Sequence, residues 1–152
     1  MKYFFIVLTI MLCGISAKAQ SAEDSVKAVI NKMFNAMKTA NPDELKSTFA
    51  DSMVLQTISR NKEGQLIVQN EEPSGFIDFI RKETSGNADE RITFDVVKVD
   101  GPLAIAWTPY NFYYKGTFSH CGVNSFQLVR FNGEWKIQYL IDTRRRQGCK
   151  TE

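Results

Sequence analysis

His120 is the only histidine in the chain, and its imidazole is well matched to acid–base work near neutral pH, with an ordinary pKa of about 6.5. Tyr113 and Tyr139 carry phenols that can donate to a carbonyl or enolate oxygen, as oxyanion donors do. Asn111 and Asn124 are amides in β-rich, apolar stretches. A core has no use for them unless they bond each other, the backbone or a ligand. Each residue has a plainer alternative: a histidine bonded to nearby backbone, tyrosines packed with satisfied hydroxyls, amides paired internally. A single histidine without clustered carboxylates falls short of a zinc ligand set, so no metal is expected. No Ser-His-Asp arrangement or glycine-rich phosphate loop is visible, and no cofactor is expected. Arg144-Arg145-Arg146 reads as a solvated charge run, with an anion site as the sharper alternative.

The elements that position these groups follow from pattern. Ser21 caps a helix whose stripe is Val26, Val29, Ile30, Met33, Phe34 and Met37, with Glu23 and Asp24 in its first turn. Asn41-Pro42-Asp43-Glu44 ends that helix and opens a short second one, on which Leu45 and Phe49 face inward. Residues 53–59 and 66–68 read as a strand pair around the turn at Asn61–Gly64, and residues 73–84 as a third helix. The rest reads as a meander over 91–99, 103–115, 117–131 and 134–146, turning at Asp100-Gly101, Lys115-Gly116 and Asn132-Gly133. Helices followed by an antiparallel meander make an α+β fold.

Turn positions set the expected faces. A two-residue loop at Asn132-Gly133 pairs Phe131 with Glu134, Val129 with Lys136 and Gln127 with Gln138. Phe126, Leu128, Trp135, Ile137, Tyr139 and Ile141 then share the inner face, while Asp142 points outward, as does Asp95. Carrying that parity across Lys115-Gly116 brings Asn111, Tyr113, His120 and Asn124 inside and leaves Tyr110 and Phe112 outside. Pro109 marks a bulge that leaves the side of Trp107 open.

The ends and the composition bound the class. Met1-Lys2, the apolar run Tyr3 to Cys13 and Ala17-Lys18-Ala19 form the pattern of a signal peptide over residues 1–19, leaving one domain over 20–152. The run is shorter than the roughly 20 residues that span a bilayer, so the mature form is expected free of the membrane, periplasmic or secreted. Loss of Lys2 and Lys18 leaves 17 basic residues against 17 acidic ones. A neutral chain has no general attraction for nucleic acid or anionic lipid. Cys121 and Cys149 are the cysteines that remain after cleavage. They form either a disulfide, suited to an oxidising compartment, or two separate thiols.

The order of elements resembles the nuclear transport factor 2 superfamily, a cone of curved antiparallel sheet wrapped around N-terminal helices. The stretch from Phe118-Ser119-His120-Cys121-Gly122 through Trp135-Lys136-Ile137 to Asp142-Thr143-Arg144-Arg145 is similar to exported bacterial members of the ketosteroid-isomerase-like and lumazine-binding-like kinds. The resemblance implies a pocket inside the sheet and a homodimer through the outer face. It does not fix function, and with Asp95 and Asp142 outward the carboxylate pattern of ketosteroid isomerase is missing.

Three functions are therefore carried forward. The first is an exported protein binding a small apolar or aromatic molecule, with Trp107, Tyr113, Phe126 and Tyr139 as walls and Asn111, His120 and Asn124 orienting the ligand. The second is a cofactor-free lyase, isomerase or cyclase with His120 as general acid/base and Tyr139 as oxyanion donor. The third is a protein-interaction module working through the outer sheet face.

Overall fold

A computed structural model describes residues 21–150; the signal peptide expected over 1–19 lies outside the described residues. Helix α1 (Ala22–Lys38) begins at Ser21, whose hydroxyl accepts from the Asp24 N–H at 3.0 Å. It buries Val26, Ile30, Met33, Phe34 and Met37. Helix α2 (Pro42–Ser47) begins at Asn41, whose side chain accepts from the Glu44 N–H at 3.1 Å. Strand β1 (Phe49–Arg60) starts earlier than the residue pattern suggests, so Phe49 is buried from a strand and not from α2. Strand β2 (Leu66–Glu71) and helix α3 (Pro73–Lys82) follow.

The expected strand over 91–99 is two strands, β3 (Ala88–Ile92) and β4 (Val96–Asp100), both paired with β5 (Leu103–Tyr114). Strands β6 (Thr117–Phe131) and β7 (Glu134–Arg145) complete the sheet, in the order β2-β1-β7-β6-β5-β3. All pairs are antiparallel except β1 with β7, which run parallel. Pro109 causes no bulge: it pairs in register with Val123. Its missing N–H faces the gap between β3 and β4, where the Thr93 N–H donates to the Pro109 carbonyl at 3.0 Å.

Helix α1 lies in the concave side of the sheet. Its apolar stripe meets Phe126, Leu128, Ile137 and Leu140, and Phe34 sits edge-on to Phe126 with ring centroids 6.1 Å apart. The sheet has three register shifts, one on β1 between Phe49 and Val54 and two bulges that set the faces around the site. Leu128 pairs with Ile137 but Gln127 pairs with Tyr139, so Gln138 is an extra residue on β7. Phe112 pairs with His120 but Tyr113 pairs with Phe118, so Ser119 is an extra residue on β6. Each extra residue inverts which side chains of the following partner face inward.

A disulfide joins Cys121 to Cys149 and ties the C-terminal tail to the outer side of β6. By the loop-entropy argument such a closure stabilises by about 3 kcal/mol. Among the described residues no helix is long and apolar enough to cross a membrane.

Candidate functional site

The two bulges decide what the concave face presents. Before Gln138 the inner residues of β7 are Trp135 and Ile137, as the turn dictates; beyond it they are Leu140 and Asp142. Asp142, expected outside, is therefore inside and only 7% exposed. Tyr139, expected inside, is on the outer face beside Val54, and its hydroxyl donates to Gln56 Oε1 at 2.6 Å. The Ser119 bulge acts likewise on β5: Tyr110 and Phe112 come inside, and Asn111 and Tyr113 go outside. There Asn111 donates to the Lys150 carbonyl at 2.8 Å and Tyr113 lies under the Arg91 guanidinium at 4.2 Å. Trp107 is outside as well, 46% exposed. Of the residues first singled out, His120 and Asn124 line a cavity and Phe126 is buried in the core beneath Phe34.

That cavity measures about 500 Å³. Its apolar wall comes from α1 (Met33, Phe34, Met37), from α3 (Phe76, Phe79) and from Leu55, Phe112 and Leu140 of the sheet. Its polar end is Glu90, Tyr110, His120, Asn124, Asp142 and Arg144. The exposed residues Glu72, Gly75, Phe79 and Arg144 mark the mouth.

The polar groups are organised in a row across four strands. Thr108 pairs with Asn124, Asn124 with Asp142, and Asp142 with Thr57, all on the inner face. Asn124 donates to Glu90 Oε1 at 2.8 Å. Tyr110 donates to Asp142 Oδ2 at 3.1 Å and to the Thr143 carbonyl at 3.0 Å, and Arg144 Nε donates to the same Oδ2 at 2.8 Å. Three buried atoms of the row, Thr57 Oγ1, Thr108 Oγ1 and Asp142 Oδ1, have no partner among the described residues. Unpaired buried polar atoms are costly, and of these three residues Asp142 is the one that lines the cavity.

Gly122 makes this arrangement possible. A Cβ there would lie 1.8 Å from the Thr143 carbonyl oxygen and 2.7 Å from Tyr110 Cε1. The bare glycine lets the Tyr110 ring cross its cross-strand partner and reach Asp142.

Electrostatics follow from burial. Burial pushes the Glu90 carboxyl up to about 7; the Asn124 bond opposes this, and the nearby Asp142 charge adds to it. Burial, with the Glu90 and Asp142 charges, holds the Tyr110 hydroxyl well above the usual phenol range. Burial and the Arg144 charge keep His120 below its ordinary value, so it is neutral at physiological pH. Its Nδ1 lies 3.0 Å from Ser119 Oγ, and its ring packs against Tyr110 and Phe112.

Glu90 escaped the sequence reading because β3 was expected to start at Arg91. The pattern Ala88-x-Glu90-x-Ile92 carried the signal, since Ala88 and Ile92 both face the core and Glu90 falls between them on the same side. Among the described residues no group of three or more His, Cys, Asp or Glu is placed to hold a metal ion.

This helix-in-curved-sheet architecture with a pocket at its open end is the nuclear transport factor 2-like fold. An NTF2-like protein of unknown function from Shewanella baltica is 12% identical, with a TM-score of 0.62 over 81% of this chain and 93% of that one. An NTF2-like protein of unknown function from Methylobacillus flagellatus is 17% identical, with a TM-score of 0.61 over 80% of this chain and 90% of that one. A domain of unknown function with a cystatin-like fold from Nostoc punctiforme is 16% identical, with a TM-score of 0.62 over 86% of this chain and 82% of that one. Residues 21–139 match the family described as "Putative lumazine-binding", and the chain belongs to that family. No curated protein matches the chain.

Proposed function

We propose that this is an exported protein whose cavity binds a small molecule with an apolar or aromatic body. The observation that carries the reading is the combination of an apolar wall with a polar end of Glu90, Tyr110, His120, Asn124 and Asp142, lining about 500 Å³. The family description points the same way. The disulfide and the signal-like N-terminus support export to the periplasm or beyond. Native mass spectrometry of the protein purified from its own host tests the binding. The expected result is a bound small molecule that is released on denaturation. A bare chain whose cavity also fails to take up xenon would defeat the reading.

A second reading, a cofactor-free lyase, isomerase or cyclase, is favoured by one observation: Glu90, raised to about 7, and the neutral His120 line the same cavity. Tyr139 lies outside and takes no part. In this reading His120→Ala and Glu90→Gln each abolish turnover while the fold survives. Retained turnover in both variants sinks it.

We also propose a homodimer through the outer sheet face, where Val96, Leu103, Ile105 and Trp107 are exposed together on β4 and β5. Trp107→Lys is expected to shift the mass seen by light scattering from dimer to monomer. A monomeric wild type rules the contact out.

A further inference from the structure

The cavity is acidic in a way that its apolar wall conceals. Glu71, Glu72, Glu90 and Asp142 line it against the single cation Arg144, and His120 is neutral. Arg144 is already engaged twice, with Asp142 Oδ2 at 2.8 Å and Glu71 Oε1 at 3.4 Å. Asp142 Oδ1 is buried, belongs to a side chain 9% exposed, and has no partner among the described residues. Glu90 is bonded only through Oε1. The free acceptors at the polar end are carboxylate oxygens, while the Tyr110 hydroxyl and one of the two Asn124 N–H donors are spent on the protein itself. Around them Phe34, Phe76, Phe79 and Phe112 present aromatic surface, which attracts cations.

We infer that the cavity selects an organic cation: an aromatic or apolar body carrying an amine or amidine that sits against Asp142 and Glu90. The inference rests on the proposed small-molecule reading and deepens it. An ammonium or amidinium supplies a donor for the free oxygen of Glu90 and offsets the acidic lining, the Asp142 charge included. A carboxylate ligand meets like charge from Glu71, Glu72, Glu90 and Asp142, against which the donors left at the polar end are the second Asn124 N–H, the His120 ring and the outer edge of Arg144. Binding of a cation favours ionised Glu90, so its affinity rises as pH passes through about 7. The charged and titratable groups facing Glu90 are Asp142 and Arg144 of β7, Tyr110 of β5 and His120 of β6, with Glu71 and Glu72 at the rim.

Tryptamine, indole and indole-3-acetate share one aromatic body and differ in charge, so calorimetric titration of the three isolates the preference. At pH 8 tryptamine is expected to bind about tenfold tighter than indole-3-acetate, with the gap shrinking at pH 5.5. Glu90→Gln is expected to weaken tryptamine several-fold and leave indole unchanged. Arg144→Gln, at an exposed site, is expected to tighten tryptamine and weaken indole-3-acetate further. Indole binding as well as tryptamine, or indole-3-acetate binding better, overturns the cation preference and leaves the pocket reading standing. If none of the three binds in the millimolar range, the cation preference is overturned as well, and the pocket reading is judged separately by native mass spectrometry and xenon uptake.

Discussion

The hairpin β6–β7 has two halves that obey the same pairing rules and do opposite things. From the Asn132-Gly133 turn to Leu128 and Ile137, register and hydrophobic pattern agree, and the inner face is closed core. Beyond the Gln138 bulge the same two strands present Asn124 and Asp142 inward and floor a cavity, while each half keeps one unpaired buried atom, Trp135 Nε1 in the near half and Asp142 Oδ1 in the far half. One extra residue converts a packing surface into a candidate binding surface, because it moves a whole run of side chains to the other face. The near half stabilises the fold, and the far half gives up some of that stability.

Deleting Gln138 tests what the bulge itself contributes to this contrast. It would also remove the Gln138 side-chain donor to the Ser52 carbonyl at 2.7 Å. Without the extra residue Ile137 is followed directly by Tyr139, so Tyr139 stays outside and Leu140 and Asp142 stay inside, and what is lost is the local bend. We expect a loss of about 1–3 kcal/mol, from the Ser52 bond and the bend that the bulge supplies, read by urea denaturation. A deletion variant of near-native stability would show that the bulge is incidental.

Gly122→Ala strikes the far half alone. The added methyl meets the Thr143 carbonyl at 1.8 Å, a backbone atom that cannot step aside, and also the Tyr110 ring. A cost of ~4 kcal/mol is expected from overpacking plus the loss of the Tyr110 bond to Asp142. Near-UV circular dichroism should report the displaced tyrosine together with the lowered denaturation midpoint.

The near half was legible in the sequence and the far half was not, for a physical reason. Ser21, Asn41-Pro42 and Asn132-Gly133 are local signals whose meaning does not depend on distant contacts, and the structure uses each as expected. Bulges at Gln138 and Ser119 have no such mark, since neither residue is a glycine or proline. Hydrophobicity does not reveal them either. Tyr139-Leu140-Ile141 is apolar on both parities, and on β5 the large residues Leu103, Ile105 and Trp107 face out while Ala104 and Ala106 face in. The small residues are inside because α1 and its long side chains fill that space. Faces assigned by counting from turns were thus right up to each bulge and inverted after it. This brought Tyr110, Phe112 and Asp142 into the site in place of Asn111, Tyr113 and Tyr139.

Leu128→Ala tests the near half in the same terms. Leu128 is fully buried beneath α1, and truncation should cost ~3–4 kcal/mol by lost transfer energy and an unfilled cavity. That cost should be the same at pH 5 and pH 8, because no titrating group shares its surroundings on the inner face of β6 and β7. A pH-dependent penalty would mean that the two halves are not energetically separate.

Glu90→Gln is the counterpart in the far region, and its effect should appear only with pH. Burial raises the Glu90 carboxyl from its ordinary 4.5 to about 7, so the folded state holds a proton that the unfolded state releases. The stability from that proton is full below about 4.5 and is lost as pH climbs through 7. His120, held below its ordinary value, acts in the opposite sense over the upper part of this window, so wild-type stability alone would blur the slope. Asp89, held low by Lys38 and Arg91 against its burial, acts only at more acidic pH. The difference between wild type and Glu90→Gln cancels both. At pH 5 the two proteins should have nearly equal urea midpoints, since glutamine keeps the acceptor for Asn124 and mimics the protonated acid. At pH 8 the variant should be more stable by ~2–3 kcal/mol. A variant less stable than wild type at pH 8 would mean that ionised Glu90 is welcome in the empty cavity, and the far half would then carry no stored cost for a cation to relieve.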